Sequence, residues 1–191
     1  MGIVTLIISA MLVSNVVLVR FLGTCPFLGV SKKISNAIGL GLATIFVVFF
    51  SSLLSYGLYH LVLKPLGLEF LSLVSFILII ASFVQFVEMF LKKYIPSLYR
   101  SLGIYLPLIT TNCIVLAIAL ENIGNNYSLV ETIVYSLSVS AGFLLVLILF
   151  SVIRERIDSL NRVPQAFKGA AIALIITALM TMAFFGFQGL V

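Results

Sequence analysis

Charged residues are scarce in this chain. Only 9% of its 191 residues are Asp, Glu, Lys or Arg and 62% are hydrophobic, where a soluble domain is about a quarter charged and about half apolar. No hydrophilic stretch is long enough to form a soluble domain, and the mean hydropathy is +1.30. An integral membrane protein is expected. The first stretch, MGIVTLIISAMLVSNVVLV, lacks the basic n-region and small-residue cleavage pattern of a removable signal, so it reads as a retained span. Two cysteines are too few for a disulfide framework, and they are not in a CxxC spacing. The single histidine, His60, has no metal-ligand partner at useful spacing. The net charge of +5 gives no reason to expect nucleic acid as a partner, because the basic residues fall between apolar runs.

What is present is a series of long apolar runs. A spanning helix needs about 20 mostly apolar residues, and six segments come close: 3–22, 38–62, 71–91, 104–120, 129–153 and 167–187. They are continuously apolar, which excludes the short alternating segments of a barrel. Arg20, Lys32, Lys33, Lys92, Lys93, Arg100, Arg154, Arg156, Arg162 and Lys168 lie around odd-numbered loops. Lys64 alone lies in an even-numbered one, and ENIGNNYS (121–128) has no basic residue. The positive-inside bias puts the odd loops in the cytoplasm and both termini outside.

Three spans before the middle loop and three after it enter the membrane from opposite sides, as in an inverted repeat. The expected fold is an all-α integral membrane protein of six transmembrane helices in a single membrane domain, with 1–92 and 103–191 as its inverted halves. SNVVLVRFLG from Ser14 and TNCIVLAIALEN from Thr111 support the repeat, with Asn15 matching Asn112. The first and fourth spans also look interrupted. One ends in Gly23-Thr24-Cys25-Pro26; the other carries Pro107 and then Thr110-Thr111-Asn112-Cys113. Proline removes a backbone donor, and Thr and Asn take over freed backbone groups. An ordinary proline kink is the plainer reading of Pro107.

At about 1.5 Å per helical residue, Cys25 lies roughly 10 Å from the interface set by Lys32, and Cys113 roughly 10–15 Å from the one set by Arg100. Two thiols at one level are able to ligate a soft metal or half of an iron–sulfur cluster. Cysteine is equally a small inert hydrophobe. Both thiols sit at helix breaks, where free N–H groups donate to sulfur, and both have polar neighbours: Thr24 beside Cys25, and Thr111 and Asn112 beside Cys113. Arg20 lies within one and a half turns of Cys25, placed to offset negative charge there; otherwise its head snorkels to the cytoplasmic surface.

FLGTCPFLGVSKK (21–33) and GIYLPLITTNCIVLAIAL (103–120) resemble the two signature segments of a known family. It contains the A subunit of the Rnf electron-transport complex and the E subunit of the sodium-translocating NADH:quinone reductase. The likeness is stronger on the Rnf side and covers essentially the whole chain, including FVQFVEMFLKKYIPSLYRSLGIYLP (83–107). It implies a six-helix subunit of a bacterial or archaeal cytoplasmic membrane, paired with a homologous E-type subunit of opposite orientation. Each of the two would give two cysteines, here Cys25 and Cys113, to one [2Fe–2S] cluster in mid-membrane. The resemblance further implies partners like the B, C, D and G subunits, which carry flavins and further iron–sulfur clusters. The whole complex is similar to a ferredoxin:NAD⁺ oxidoreductase coupled to Na⁺ or H⁺ movement, with no complete active site in this chain. A midway relay divides the roughly 30 Å of hydrocarbon into two shorter electron steps. On this reading Gly23 and Pro26 end the helix early so that Cys25 points inward.

Other residues have plainer roles. Glu88 precedes Lys92 by four residues, the favourable order for an interfacial ion pair, with a cation-handling carboxylate as the alternative. Glu121 and Asn122 are expected to be solvated at the outer face. Glu155 and Asp158 lie among arginines in a cytoplasmic loop, to dock a partner or balance charge. Ser136, Ser138, Ser140 and Gly142 form a small-residue face that packs helices closely. A substrate-binding secondary transporter is the competing function, since broken helices in inverted repeats also mark that class. A structural assembly protein with inert cysteines is the third.

Overall fold

The computed structural model describes residues 7, 10–11, 16–25, 34–67, 69–94, 112–159 and 169–186, and every regular element among them is helical. In chain order these are α1 (Val16–Arg20), α2 (Ile34–Leu58), α3 (Ser72–Tyr94), α4 (Cys113–Gly124), α5 (Leu129–Ser159) and α6 (Ala170–Phe185). α2 runs on through a π-helical stretch, Tyr59–Leu63, into one further turn, Lys64–Leu66. Gly67, at φ 66°, ends it. Among the described residues, three apolar helices are long enough to cross a bilayer: Ile34–Leu63, Ser72–Phe90 and Leu129–Ser159. They match the second, third and fifth expected spans. α4 and α6 are apolar but shorter, at 12 and 16 residues. From the first span, residues 7, 10–11 and 16–22 are described, and Pro26, Pro107, Asn15 and Thr111 lie outside the described residues.

Large apolar side chains cover the outward faces of these helices as well as filling the core. The buried face of α2 repeats at helical spacing and sets small or hydroxylic residues, Ala37, Gly41, Thr44, Ser51 and Ser55, beside Leu40, Val47 and Val48. Its exposed face holds Leu42, Phe46, Phe50 and Leu54. Small residues let backbones approach, and the large apolar ones suit lipid. Gly41 shows the approach directly, because a Cβ there would run into Leu144 of α5. α3 inserts only a narrow seam, Phe76, Ile80 and Val84, and exposes Val74, Leu78, Phe86 and Met89.

α5 is the central helix, packed against α1, α2, α4 and α6. Ser136, Ser138, Ser140 and Gly142 are all buried in it, as the small-residue face requires. Several buried hydroxyls on these helices are satisfied within their own helix. Ser140 donates to Ser136 O at 2.7 Å, Ser138 to Val134 O at 2.7 Å, Thr44 to Leu40 O at 2.9 Å and Thr177 to Ala173 O at 2.8 Å. This back-bonding lets hydroxyls enter an apolar interior without an unpaired donor.

α4 and α5 form a tight antiparallel hairpin. The end of α4 closes through Asn125 N–H to Glu121 O (3.0 Å) and Tyr127 N–H to Asn122 O (3.1 Å), with Asn126 left-handed at φ 51°. Ser128 and Glu131 then form a capping box at the start of α5. Ser128 N–H donates to Glu131 Oε2 at 2.9 Å, and Glu131 N–H reaches Ser128 Oγ at 3.4 Å.

Candidate functional site

The first segment breaks where the glycine predicts. α1 stops at Arg20, Phe21 takes φ 53° and Gly23 takes φ 78°, and neither conformation continues a right-handed helix. Thr24 Oγ1 donates to Phe21 O at 3.3 Å across the break, so its hydroxyl serves the backbone. Position 23 excludes a side chain twice over. Its φ is left-handed, and a Cβ would sit 2.5 Å from Ile114 Cδ1 on α4.

The fourth segment restarts at that same point. Asn112 is extended (φ −70°, ψ 111°) and caps α4, its Oδ1 accepting from Ile114 N–H at 3.3 Å. Cys113 is therefore the first residue of α4, at the positive end of the helix dipole. The Gly23 N–H donates to Cys113 Sγ at 3.0 Å. The buried Asn112 Nδ2 has no hydrogen-bond partner among the described residues, and Asn112 Oδ1 is 3.4 Å from where a Gly23 Cβ would stand. A backbone N–H and a helix N-terminus thus meet at one sulfur, with a spare amide donor on the adjacent residue. This setting suits a sulfur bearing negative charge.

Cys25 follows Gly23 by two residues, so its Cα lies within about 7 Å of the Gly23 Cα. Both cysteines are free; Cys113 is half-buried and Cys25 is exposed. Cys25 is exposed on this chain, at the end of the turn at 21–24. Among the described residues, no three His, Cys, Asp or Glu side chains converge. The donor set fits one half of a two-iron cluster's four thiolates and does not complete it.

Two further expectations change. Arg20 pairs with Glu121, its Nη1 on Glu121 Oε1. It neither snorkels toward the cytoplasmic loop nor sits over a thiol. Glu121 is not a solvated end-of-helix residue: it is only 17% exposed, and Tyr135 O–H donates to its Oε2 at 2.6 Å. Asn122 is buried outright at 3% exposure, donating from Nδ2 to Ser136 Oγ at 3.2 Å. The hairpin is the reason. It lays α5 along α4, so the last turn of α4 faces protein and not water. The spacing of fourteen residues between Glu121 and Tyr135, and between Asn122 and Ser136, is the signal in the sequence, legible only once the hairpin is known. Glu88 is half-buried on α3. His60 is exposed and stacks on Tyr56 with ring centroids 4.3 Å apart, a packing role.

Residues 3–191 match a family described as "Rnf-Nqr subunit, membrane protein". Curated relatives are similar over nearly their whole length. A protein of Aliivibrio fischeri is 56% identical over 186 residues, 97% of this chain and 96% of that one. One of Vibrio parahaemolyticus is 55% identical over 188 residues, 98% and 97% of the two chains. One of Vibrio cholerae is 55% identical over 186 residues, 97% and 96%. All three are named as the A subunit of an ion-translocating oxidoreductase complex.

Proposed function

The chain belongs to the Rnf-Nqr family of membrane proteins, and on that premise we propose that it relays electrons within the membrane part of an ion-translocating oxidoreductase complex. In this reading Cys25 and Cys113 hold half of a [2Fe–2S] cluster, and a homologous subunit of opposite orientation holds the other half. The cluster, when bound, supplies a one-electron relay between redox groups on the two sides of the membrane. The six-span inverted topology, with both termini outside, belongs to the same proposal.

The observation that supports it most is the Gly23 N–H on Cys113 Sγ, which joins two signature segments far apart in sequence. An inert packing cysteine has no need of a glycine break and a free amide aimed at its sulfur. The residues act as follows. The left-handed turn at Gly23 delivers its N–H to Cys113. The positive end of α4 points at that sulfur, and Asn112 beside it keeps a buried Nδ2 without a partner among the described residues. The exposed Cys25 leaves a ligand at the chain surface, where a second subunit meets it.

The test is to purify the chain alone and with its neighbours, then measure iron, acid-labile sulfide and the reduced-state paramagnetic signal. Stoichiometric cluster is expected only with the partner present, and both Cys25→Ala and Cys113→Ala should lose it. A full cluster in the monodisperse lone chain, or normal electron throughput in both variants, would overturn the assignment.

A further inference from the structure

Phe21 holds a left-handed backbone, φ 53°, in which a bulky side chain is out of place. Among the described residues the other non-glycine with a positive φ is Asn126, a type that tolerates it. The packing of Phe21 does not explain its conformation, because its side chain is 52% exposed. A strained residue persists only where its surroundings over-determine it. One tie is local, Thr24 Oγ1 on Phe21 O at 3.3 Å. Two more flank Phe21 and run to a single helix.

Downstream, the Gly23 N–H is set on Cys113 Sγ, at the first residue of α4. Upstream, Arg20 is paired with Glu121, in the last turn of the same helix. Those two anchors are eight residues apart on α4, which is about 12 Å along its axis. Arg20 and Gly23 are only three residues apart, and three residues reach at most about 10–11 Å when fully extended. The backbone alone does not bridge the anchors, so the long arginine side chain makes up the difference. The far anchor is itself fixed: Tyr135 of α5 donates to Glu121 Oε2 at 2.6 Å.

We propose that Arg20 is a positioning residue for the Cys113 site: gripped by Glu121 and Tyr135, it holds Phe21 left-handed and so keeps the Gly23 N–H on the sulfur. Its guanidinium is engaged at the far end of α4, so it acts through the backbone of the turn and not as a counter-charge beside the thiol. The geometric part of this role stands on the chain alone. Its redox consequence rests on the electron-relay reading. Hydrogen bonds to cluster sulfurs set the potential; an N–H on sulfur favours the more negative, reduced state, so losing this one lowers the midpoint.

The test has two arms. In the full-length chain in detergent, with Cys25→Ser so that only Cys113 reacts, the alkylation rate of Cys113 is followed by mass spectrometry. Arg20→Met should raise it by about fivefold or more, the factor that a strain of this size sets. Adding Phe21→Gly should bring the rate most of the way back, because glycine takes a positive φ without strain. Tyr135→Phe leaves the ion pair and frees the carboxylate, so it carries the same test in milder form, with a smaller rise. Gly41→Ala loosens the α2–α5 contact instead and should leave the Cys113 rate unchanged. In the assembled complex, Arg20→Met should lower the cluster midpoint with iron content unchanged. A parent rate in Arg20→Met, no recovery with Phe21→Gly, or an equal rise in Gly41→Ala would overturn the positioning role. Faster alkylation in Arg20→Met, in a protein whose complex carries no cluster, removes the electron-relay reading and leaves this role. An intact cluster of unchanged potential, with parent alkylation in Arg20→Met, removes this role alone.

Discussion

The amide of Gly23 points at the sulfur of Cys113 from 3.0 Å, across ninety residues of sequence. That contact ties the break in the first segment to the start of α4. It makes Gly23 the position with least freedom to change. Gly23→Ala meets a left-handed φ, which costs about 1–2 kcal/mol for a residue with a Cβ, and a 2.5 Å clash with Ile114 Cδ1. Loss of thermal stability and faster reaction of Cys113 with thiol reagents are expected. Adding Ile114→Ala should recover only the steric part, since φ is unchanged. Full recovery would show that the left-handed turn is dispensable.

Arg20, Glu121 and Tyr135 should behave as one unit. Removing either charge alone leaves the other unpaired in a partly apolar setting, whereas Arg20→Met with Glu121→Gln leaves none and keeps an acceptor for Tyr135. A double-mutant cycle on thermal unfolding is expected to give a coupling of about 1–2 kcal/mol, within the range for contacting residues. Arg20 is 58% exposed on this chain, which holds the figure at the lower end of buried-pair values. Strict additivity would mean the pair contributes nothing.

The α2–α5 contact depends on a missing side chain. Gly41→Ala drives a methyl into Leu144, and overpacking of this kind costs about 1–3 kcal/mol. Leu144→Ala costs stability alone through a cavity, yet in combination it should relieve the Gly41→Ala defect. Thermal unfolding of the four chains checks this; a double variant no better than Gly41→Ala would mean α2 shifts as a rigid body instead.

The proposed orientation rests on loop charge and is open to direct labelling. Asn125 is exposed in the α4–α5 turn. In a chain with both native cysteines changed to alanine, Asn125→Cys should react with an impermeant thiol reagent added outside intact cells. Labelling from the cytoplasmic side alone would invert the topology.

Some of this was legible in the residues and some was not. The long apolar runs announced α2, α3 and α5 because a backbone in lipid has to satisfy its own hydrogen bonds, which leaves helix as the local solution. The break at Gly23 and the cap at Asn112 were legible for the same local reason: glycine permits a positive φ, and Asn accepts the orphan N–H of a helix start. Glu121 and Asn122 were misplaced at a wet helix end. Their environment is fixed by α5 lying alongside, which no local pattern reports.

The sequence by itself determined the class, the helical runs, the small-residue face of α5 and the two thiols at interrupted segments, since each is a matter of chain-local hydrogen bonding or side-chain size. The tertiary structure decided which side chains meet. It set the Gly23 amide on Cys113, turned Cys25 to the surface, paired Arg20 with Glu121 and left Asn122 and Thr132 buried on facing helices. Those outcomes depend on helix register and rotation. Neighbouring apolar helices fix both through close contacts such as Gly41 on Leu144, and hydrophobicity read along the chain is nearly blind to them.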